Sequence, residues 1–270
     1  MQPQEPQLRA TIVEIGKCVW HKGWVASNDG NISCRLPGDR ILCTPTGVSK
    51  GMMSADDLII CDLDGNKLEG TRSRTSEINM HLTIYKMRPD VQAVVHAHPP
   101  CSTGFAVAGR PLNKAVLPEV IVNLGCIPLA DYGLPGTPAL AESLTPYIPN
   151  YDAILLGNHG AVCYADDLWK AYFRMETVEH TARIILVAEM LGGAKVLPRV
   201  EVDKLLDSRA RYGVRSKAGF DPGCPVAAGE SGESCAAAAA SEERYEFTRS
   251  ELIALVHEAV RASQAKSLER

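Results

Sequence analysis

The sequence predicts an α/β domain whose sheet contains antiparallel pairs, followed by a detached C-terminal helix. Short apolar segments typical of strands are mixed with amphipathic helical segments, without a clean βαβ repeat. Two strand pairs are joined by tight turns, which is typical of antiparallel neighbours. A stretch rich in Gly, Ala and Ser separates the last helix from the rest of the chain.

Composition excludes several classes of protein. The 270 residues are 46% hydrophobic and 22% charged, which is typical of one large globular domain. No apolar run reaches the ~20 residues that span a bilayer, and the first residues lack the pattern of a secretory leader, so we expect a cytoplasmic protein. Residues 221–270 hold nine acidic and five basic residues, whereas residues 1–220 hold 23 of each, so no basic nucleic-acid surface is expected. Nine scattered cysteines without a C-x-x-C pair favour free thiols.

The first part of the chain is predicted to form two helices and three strands. Apolar residues recur at three- and four-residue spacings in the helical segments, and the strands are short apolar runs bounded by turn residues. Pro37-Gly38-Asp39 predicts the turn of a hairpin, and Arg88-Pro89 ends the second helix. The predicted elements are a helix over 8–22, strands over 32–35, 40–44 and 58–63, and a helix from Thr75 or Ser76 to Met87.

The second part continues with the same mixture. Pro99-Pro100 begins a small helix, and Asp166 or Asp167 caps the longest one, which ends at Gly192-Gly193. Gly157-Asn158-His159-Gly160 predicts a turn between two strands. The predicted elements are strands over 93–98, 119–124, 127–130, 153–156 and 161–164, and helices over 137–147, 167–192 and 202–211.

The composition changes after Tyr212. A run of five alanines with several glycines and serines predicts a flexible linker. Thr248-Arg249-Ser250-Glu251 is a capping box at the start of a helix with an apolar stripe on one face. We therefore divide the chain into a domain over 1–219, a linker over 220–244 and an amphipathic helix over 245–270.

Three histidines form the strongest candidate for chemistry. His96 and His98 alternate along a predicted strand, so both imidazoles lie on the same face. The alternative is that two histidines simply lie near a strand end. His159 lies in a glycine-flanked turn directly after a second strand, and three histidines from two strand ends are a typical nitrogen set for zinc.

Glu77 and several polar turns complete the set of candidates. Glu77 follows Thr75-Ser76 at a predicted helix N-terminus, where it is either a ligand or base, or only a residue that stabilises the helix dipole. The turns at Asn28–Asn31, Thr44–Gly47 and Thr75-Ser76 suit an oxyanion such as phosphate, although each can also be only a turn. Solvated or packing roles are expected for the other histidines, which are His21, His81, His180 and His257.

In chain order, these motifs resemble the class II aldolase/adducin family from about residue 8 to Tyr212. The matching motifs are Gly30-Asn31-Ile32-Ser33, Thr44-Pro45-Thr46-Gly47, Thr75-Ser76-Glu77, Val94-Val95-His96-Ala97-His98 and Asn158-His159-Gly160. The resemblance implies a three-layer α/β/α fold with a central, largely antiparallel sheet, assembled as a fourfold-symmetric tetramer.

The resemblance also implies roles for single residues. His96, His98 and His159 would bind one zinc ion per chain, and Glu77 would complete the resting site and then move off to act as the acid/base. Tyr212 matches one catalytic tyrosine of the family, whereas Leu117 stands where the family's aldolase has another. The residues that would hold the substrate phosphate are Gly30, Asn31, Thr46, Gly47, Thr75 and Ser76.

The function implied is that of a zinc-dependent lyase. It would cleave a (6-deoxy)ketose 1-phosphate to dihydroxyacetone phosphate and an aldehyde such as lactaldehyde. The alternatives on the same scaffold are a ribulose-phosphate 4-epimerase, a ketose-phosphate dehydratase and an adducin-like structural protein. Because adducin lacks the metal ligands, the three histidines argue against the last of these.

The C-terminal segment resembles the encapsulation peptides that load enzymes into bacterial microcompartments. The resemblance implies a shell protein as partner and a location in the lumen of such a compartment. The alternative is that the helix packs against its own tetramer. A membrane surface is less favoured because residues 221–270, with nine acidic and five basic residues, are net acidic.

Overall fold

The computed structural model describes residues 4–214 as one sheet flanked by helices. The predicted linker over 220–244 and the predicted helix over 245–270 lie outside these residues. The helices are α1 (Glu5–His21), α2 (Ile78–Met87), α3 (Pro100–Val107), α4 (Pro118–Asn123), α5 (Pro138–Leu144), α6 (Leu168–Met190) and α7 (Arg199–Ser208). The strands are β1 (Asn31–Leu36), β2 (Arg40–Cys43), β3 (Ile59–Cys61), β4 (Lys67–Glu69), β5 (Ala93–Ala97), β6 (Leu129–Ala130), β7 (Ala153–Leu156) and β8 (Gly160–Ala165). None of the described helices is long and apolar enough to cross a membrane.

The eight strands form one sheet in the order β4-β3-β2-β1-β5-β8-β7-β6. Every neighbouring pair is antiparallel except β6 and β7, which are parallel. The predicted central and largely antiparallel sheet is therefore confirmed. Leu36 pairs with Arg40, which places the predicted hairpin turn at residues 37–39.

Both faces of the sheet are buried against helices. Along β1, Ile32 and Cys34 belong to the core that α1, α3 and α6 cover, whereas Ser33 points toward the opposite face. On that opposite face, apolar residues of α2 and α5 pack over the sheet. The result is the expected three-layer α/β/α arrangement, with the site described below at one end of the central strands.

The structure corrects several boundaries and one element type. Residues 119–124 are not a strand but lie mainly in helix α4, which begins at Pro118, because proline at the first helical position has a φ suited to a helix. The predicted strand over 127–130 is reduced to β6, and Ile127 forms an isolated bridge with Leu112. Helix α2 begins at Ile78, with Glu77 as its N-cap. The predicted helix over 202–211 is α7 followed by a short 3₁₀ turn over Arg209–Tyr212.

The cysteines largely match the prediction of free thiols. Six of those among residues 4–214 are free, namely Cys18, Cys34, Cys43, Cys61, Cys101 and Cys163. Cys126 is disulfide-bonded, so the prediction is wrong for that residue. Scattered spacing carries no information about which cysteines lie close together in the fold.

Candidate metal centre

The three predicted histidines meet at one end of the sheet. His96 lies near the end of β5, and His98 follows that strand directly. Because β5 pairs antiparallel with β8, Ala97 lies opposite Ala161, next to the turn that holds His159. One ring nitrogen from each histidine lies within 4.8 Å of the others, and the Nε2 atoms of His96 and His98 are 3.1 Å apart. The rings thus converge on one point.

Two glycines allow this close approach. A Cβ on Gly160 would lie 2.6 Å from the carbonyl oxygen of Ala97 and 2.7 Å from the ring of His98. Gly30 has a φ of +70°, and a Cβ there would lie 2.8 Å from the carbonyl oxygen of His96. Any side chain at either position would push the histidine-bearing strand out of place.

Glu77 faces the histidines rather than its own helix. Its side chain makes no capping hydrogen bond to α2, which argues against the alternative role as a helix cap. Oε2 lies 3.4 Å from Nε2 of His96, and Oε1 lies 3.1 Å from Nε2 of His159. Burial raises the pKa of Glu77, but the neighbouring His96 and His159 outweigh burial and hold it well below its usual range. The carboxylate is therefore ionised.

Neighbouring groups orient two of the rings. Nδ1 of His96 donates to the carbonyl oxygen of Ala161 at 2.9 Å, which leaves the lone pair of Nε2 directed at the centre of the cluster. Nδ1 of His98 lies 3.5 Å from a carboxylate oxygen of Asp29. Burial lowers the pKa of both His96 and His98, which favours the neutral form that a metal ligand must have.

These residues fit a divalent metal ion. Three imidazole nitrogens and one carboxylate are a donor set that zinc and related metals bind. Glu77 Oε1 is buried and makes no hydrogen bond to any residue of the described range 4–214. A buried, ionised oxygen without a hydrogen bond is costly unless a cation neutralises it. A metal ion held by the three histidines and Glu77 would remove that cost.

The predicted phosphate-binding residues lie in three segments, at the start of β1, after β2 and before α2. Ile32 and Thr44 exchange hydrogen bonds, since the Ile32 amide donates to Thr44 Oγ1 at 3.2 Å and the Thr44 amide donates to the Ile32 carbonyl at 3.0 Å. The Thr46 amide donates to the carbonyl oxygen of Ser73 at 3.1 Å, which joins the second segment to the third. The six residues are Gly30, Asn31 and Thr75, which are buried, and Thr46, Gly47 and Ser76, which are exposed.

Lys50 is a residue of this region that sequence reasoning missed. It is buried, and Nζ donates to the carbonyl oxygens of Asn28 at 3.0 Å and Val48 at 2.9 Å. Burial lowers its pKa to about 8. The ammonium group thereby ties the turn at Asn28 to the loop at Val48. No local pattern in the sequence distinguishes this lysine from an exposed one.

Tyr212 and Leu117 lie on neighbouring elements, the 3₁₀ turn over Arg209–Tyr212 and the start of α4. Tyr212 is 71% exposed, and within residues 4–214 no hydrogen bond or ring contact joins it to the histidine cluster. Leu117 is the N-cap of α4 and packs against the apolar core. The Arg209 guanidinium donates to the carbonyl oxygens of Ile121 and Val122 at 2.8 Å, which ties the 3₁₀ turn to α4.

Comparison with known proteins decides the family. The family model for the class II aldolase and adducin N-terminal domain matches residues 10–186. The chain belongs to the class II aldolase and adducin family. Its expected identity as a lyase, rather than an adducin-like structural protein, agrees with the sugar-phosphate aldolases among its relatives and is confirmed.

Relatives of this class II aldolase domain include proteins of two named activities. An L-fuculose phosphate aldolase of Methanococcus maripaludis is 37% identical over 172 residues, which cover 64% of this chain and 92% of the relative. A 3-oxo-tetronate 4-phosphate decarboxylase of Haemophilus influenzae is 33% identical over 189 residues, covering 68% of this chain and 88% of the relative. Among solved structures, an L-fuculose 1-phosphate aldolase superposes with a TM-score of 0.71 at 29% identity, covering 75% of this chain and 95% of that one.

Proposed function

We propose that this class II aldolase domain is a zinc-dependent aldolase that cleaves a 6-deoxyketose 1-phosphate, such as L-fuculose 1-phosphate, to dihydroxyacetone phosphate and lactaldehyde. The single observation that supports it most is an ionised carboxylate, Glu77, packed against three converging histidines beside a set of polar loops. The relatives named as L-fuculose phosphate aldolases support the same substrate class.

The residues of the site suit this cleavage. A metal ion at His96, His98 and His159 supplies Lewis-acid stabilisation of the negative charge that develops on the substrate when the carbon–carbon bond breaks. Breaking the C3–C4 bond turns the C4 hydroxyl into an aldehyde and leaves the electron pair on C3. Overall, the proton of the C4 hydroxyl is transferred to C3, and Glu77 is the group placed to deliver it. The loops that bear Asn31, Thr46 and Ser76 would hold the phosphate and so orient the scissile bond.

A decarboxylase is the second candidate, because Leu117, which has no hydroxyl group, favours it. A 3-oxo-tetronate 4-phosphate that loses its carboxylate as carbon dioxide leaves the same three-carbon enediolate as the aldol cleavage does. That reaction forms no aldehyde and sheds no hydroxyl proton, so it needs no tyrosine at the position of Leu117. Relatives named as 3-oxo-tetronate 4-phosphate decarboxylases reach 33% identity.

Product analysis distinguishes these candidates. We would incubate the zinc-loaded protein with the 1-phosphates of fuculose, rhamnulose and ribulose, and separately with 3-oxo-tetronate 4-phosphate. The aldolase proposal predicts dihydroxyacetone phosphate together with an aldehyde from a ketose 1-phosphate. Carbon dioxide and dihydroxyacetone phosphate from the oxo acid alone would identify the decarboxylase. Epimerised or dehydrated sugar without dihydroxyacetone phosphate would overturn both proposals.

The proposed role of Tyr212 requires an oligomer. Because Tyr212 is 71% exposed and makes no described contact with the histidines, it would act on the site of a neighbouring copy in the proposed tetramer. We expect Tyr212→Phe to lower kcat while the thermal stability of the domain stays the same, since the hydroxyl has no described partner in its own chain. Unchanged kcat in the assembled enzyme would remove Tyr212 from the catalytic set.

We further propose that residues 245–270 dock the enzyme to a microcompartment shell protein. The support comes from the sequence: a capped amphipathic segment follows a Gly-, Ala- and Ser-rich linker, and an amphipathic helix laid in a groove is a common mode of recognition. Lactaldehyde is reactive, so confining the proposed product within a shell suits the chemistry. The lumen of such a compartment is the location that this proposal implies.

A fluorescent reporter fused to residues 241–270 tests the docking proposal. In a shell-producing cell, we expect the fusion to collect in compartments. Val256→Lys on the predicted apolar stripe should abolish this, whereas Glu258→Lys on the opposite side is the matched control and should not. Enzyme truncated after Gly219 should stay active and tetrameric. A diffuse reporter together with loss of the tetramer on truncation would show that the segment packs on its own enzyme.

A further inference from the structure

A buried row of polar side chains connects Glu77 to the far end of helix α2. Glu77, His81 and Tyr85 recur at every fourth residue, so they share one face of the helix. That face packs against β1, where Asn31 and Ser33 alternate with apolar residues and point toward α2. Four helical residues rise about 6 Å and two strand residues rise about 6.6 Å, so the two rows stay in step.

The hydrogen bonds of this row all run in one direction. The Asn31 amide nitrogen donates to Glu77 Oε2 at 2.7 Å, and the Asn31 amide oxygen faces His81 Nε2 at 2.5 Å. Because an amide oxygen only accepts, Nε2 of His81 must carry the proton. Nδ1 of the neutral ring then accepts from the Ser33 hydroxyl at 2.7 Å, and that oxygen accepts from the Tyr85 hydroxyl at 2.8 Å. Every donor therefore points toward Glu77.

The row is sealed from water. His81 and Ser33 are fully buried, and Tyr85 and Asn31 are almost so. Burial lowers the pKa of His81 to about 4, so the ring is neutral at physiological pH. The far end of the row is also closed, since the guanidinium of Arg35 lies 5.0 Å from the ring of Tyr85 and donates to its carbonyl oxygen at 2.8 Å.

Only one orientation of the Asn31 amide satisfies this arrangement. If the amide turned over, its oxygen would face the carboxylate of Glu77 and its NH₂ group would face the N–H of His81. Both contacts would then be repulsive in a buried site, where a mismatched polar group is costly. The carboxylate of Glu77 and an Nε2–H tautomer of His81 thus select the same orientation of the amide, and the Ser33 hydroxyl completes that tautomer by donating to Nδ1.

We propose that His81 is a positioning residue, which, with Ser33 and Tyr85 behind it, fixes the Asn31 amide and through it the carboxylate of Glu77. The proposal rests on the proposed role of Glu77 as the acid/base of the site. It is not a proton wire, because the amide of Asn31 cannot take a proton on one side and release it on the other. The row holds Glu77 in position. A catalytic group that is out of position lowers the reaction rate even when every reacting residue is present.

Paired substitutions at His81 test the proposal. His81→Phe keeps a planar ring but removes both ring nitrogens, whereas His81→Gln keeps an N–H donor for Asn31. Tyr85→Phe removes only the last hydroxyl of the row. Tyr164→Phe is the matched control, because it deletes a buried hydroxyl that bonds to the carbonyl of Tyr151, outside this row. For each variant we would measure kcat, KM, bound zinc, the pH profile and the absorption spectrum of the cobalt-substituted protein.

The proposal expects a loss of kcat of about 10–100-fold in His81→Phe, the usual size for a lost outer contact of a metal site. KM, zinc content and the position of the pH profile should not change. His81→Gln should recover most of the rate, and Tyr85→Phe should lose less than His81→Phe. The cobalt spectrum should change in His81→Phe in the same sense as in Glu77→Gln, but not in Tyr164→Phe.

Several outcomes would overturn this assignment. If soluble His81→Phe and Tyr164→Phe have the same kcat, His81 has a packing role only. Equal kcat values in His81→Phe and His81→Gln would show the same. If His81→Phe does not fold, His81→Gln alone decides the matter. A loss of kcat of about 10–100-fold in His81→Gln would then show a packing role only, because that variant keeps the N–H donor. If the wild-type enzyme cleaves none of the proposed substrates, the proposed function fails. ¹⁵N NMR of the His81 ring and the cobalt spectra still decide the positioning role, and an Nδ1–H tautomer would contradict it.

Discussion

His96→Ala is expected to leave the domain folded but without bound metal and without turnover. His96 is the most deeply buried of the three histidines, and its Nδ1 bond to Ala161 directs Nε2 at the shared point. Nε2 of His96 lies 3.1 Å from Nε2 of His98 and 3.4 Å from Oε2 of Glu77, so its removal opens the middle of the ligand set and leaves the remaining ligands without the geometry that holds the ion. Elemental analysis of the purified variant, together with its circular dichroism spectrum, measures both properties.

His180→Ala is the matched control for this prediction. His180 is an exposed histidine of α6 outside the cluster, so its removal should change neither zinc content nor rate. Zinc at the wild-type level in folded His96→Ala would mean that the metal binds elsewhere. The assignment of the three-histidine cluster would then be wrong.

Glu77→Gln is expected to keep zinc but to lose turnover by about two to four orders of magnitude, the range for a lost general acid or base. Glutamine has the same shape and still accepts the hydrogen bond of Asn31, but it cannot hold and release a proton at this position. Steady-state kinetics of the zinc-loaded variant measure the effect.

Glu201→Gln controls for the loss of a negative charge alone. Glu201 lies on α7 in an exposed pair with Lys204 at 2.8 Å, and exposed pairs contribute little. Its substitution should leave the rate unchanged. If Glu77→Gln kept a near-normal rate, Glu77 would be a metal ligand only, and the proton would have to move through another group.

Much of the site follows from local patterns in the sequence. The alternation of His96 and His98 along one strand and the glycines around His159 predict three histidines on two strand ends. The strand–turn–strand pattern does not say which strands are neighbours. The pairing of β5 with β8, which brings Ala97 opposite Ala161, is set by packing of the whole sheet.

The misplaced elements show where local patterns are insufficient. The apolar run at residues 120–122 suits a buried strand or a buried helix equally well, and here Pro118 starts a helix. His81 lies within a helical pattern, which by itself predicts only a solvated or packing role. The four-residue spacing of Glu77, His81 and Tyr85 opposite the alternation of Asn31 and Ser33 is the signal that finds the row, and it is visible only once α2 is known to cover β1.

The central claim is that this site stabilises the enediolate of dihydroxyacetone phosphate, whichever bond it breaks to form it. Hydrogen exchange tests this without the ketose substrate. In D₂O, the zinc-loaded enzyme should replace one of the two C3 hydrogens of added dihydroxyacetone phosphate with deuterium, which NMR detects. The account predicts that exchange stops after chelation and falls strongly in Glu77→Gln. Two results would contradict the account. One is that the zinc-loaded enzyme exchanges the hydrogen no faster than buffer alone, and the other is that the metal-free enzyme exchanges it as fast as the zinc-loaded enzyme.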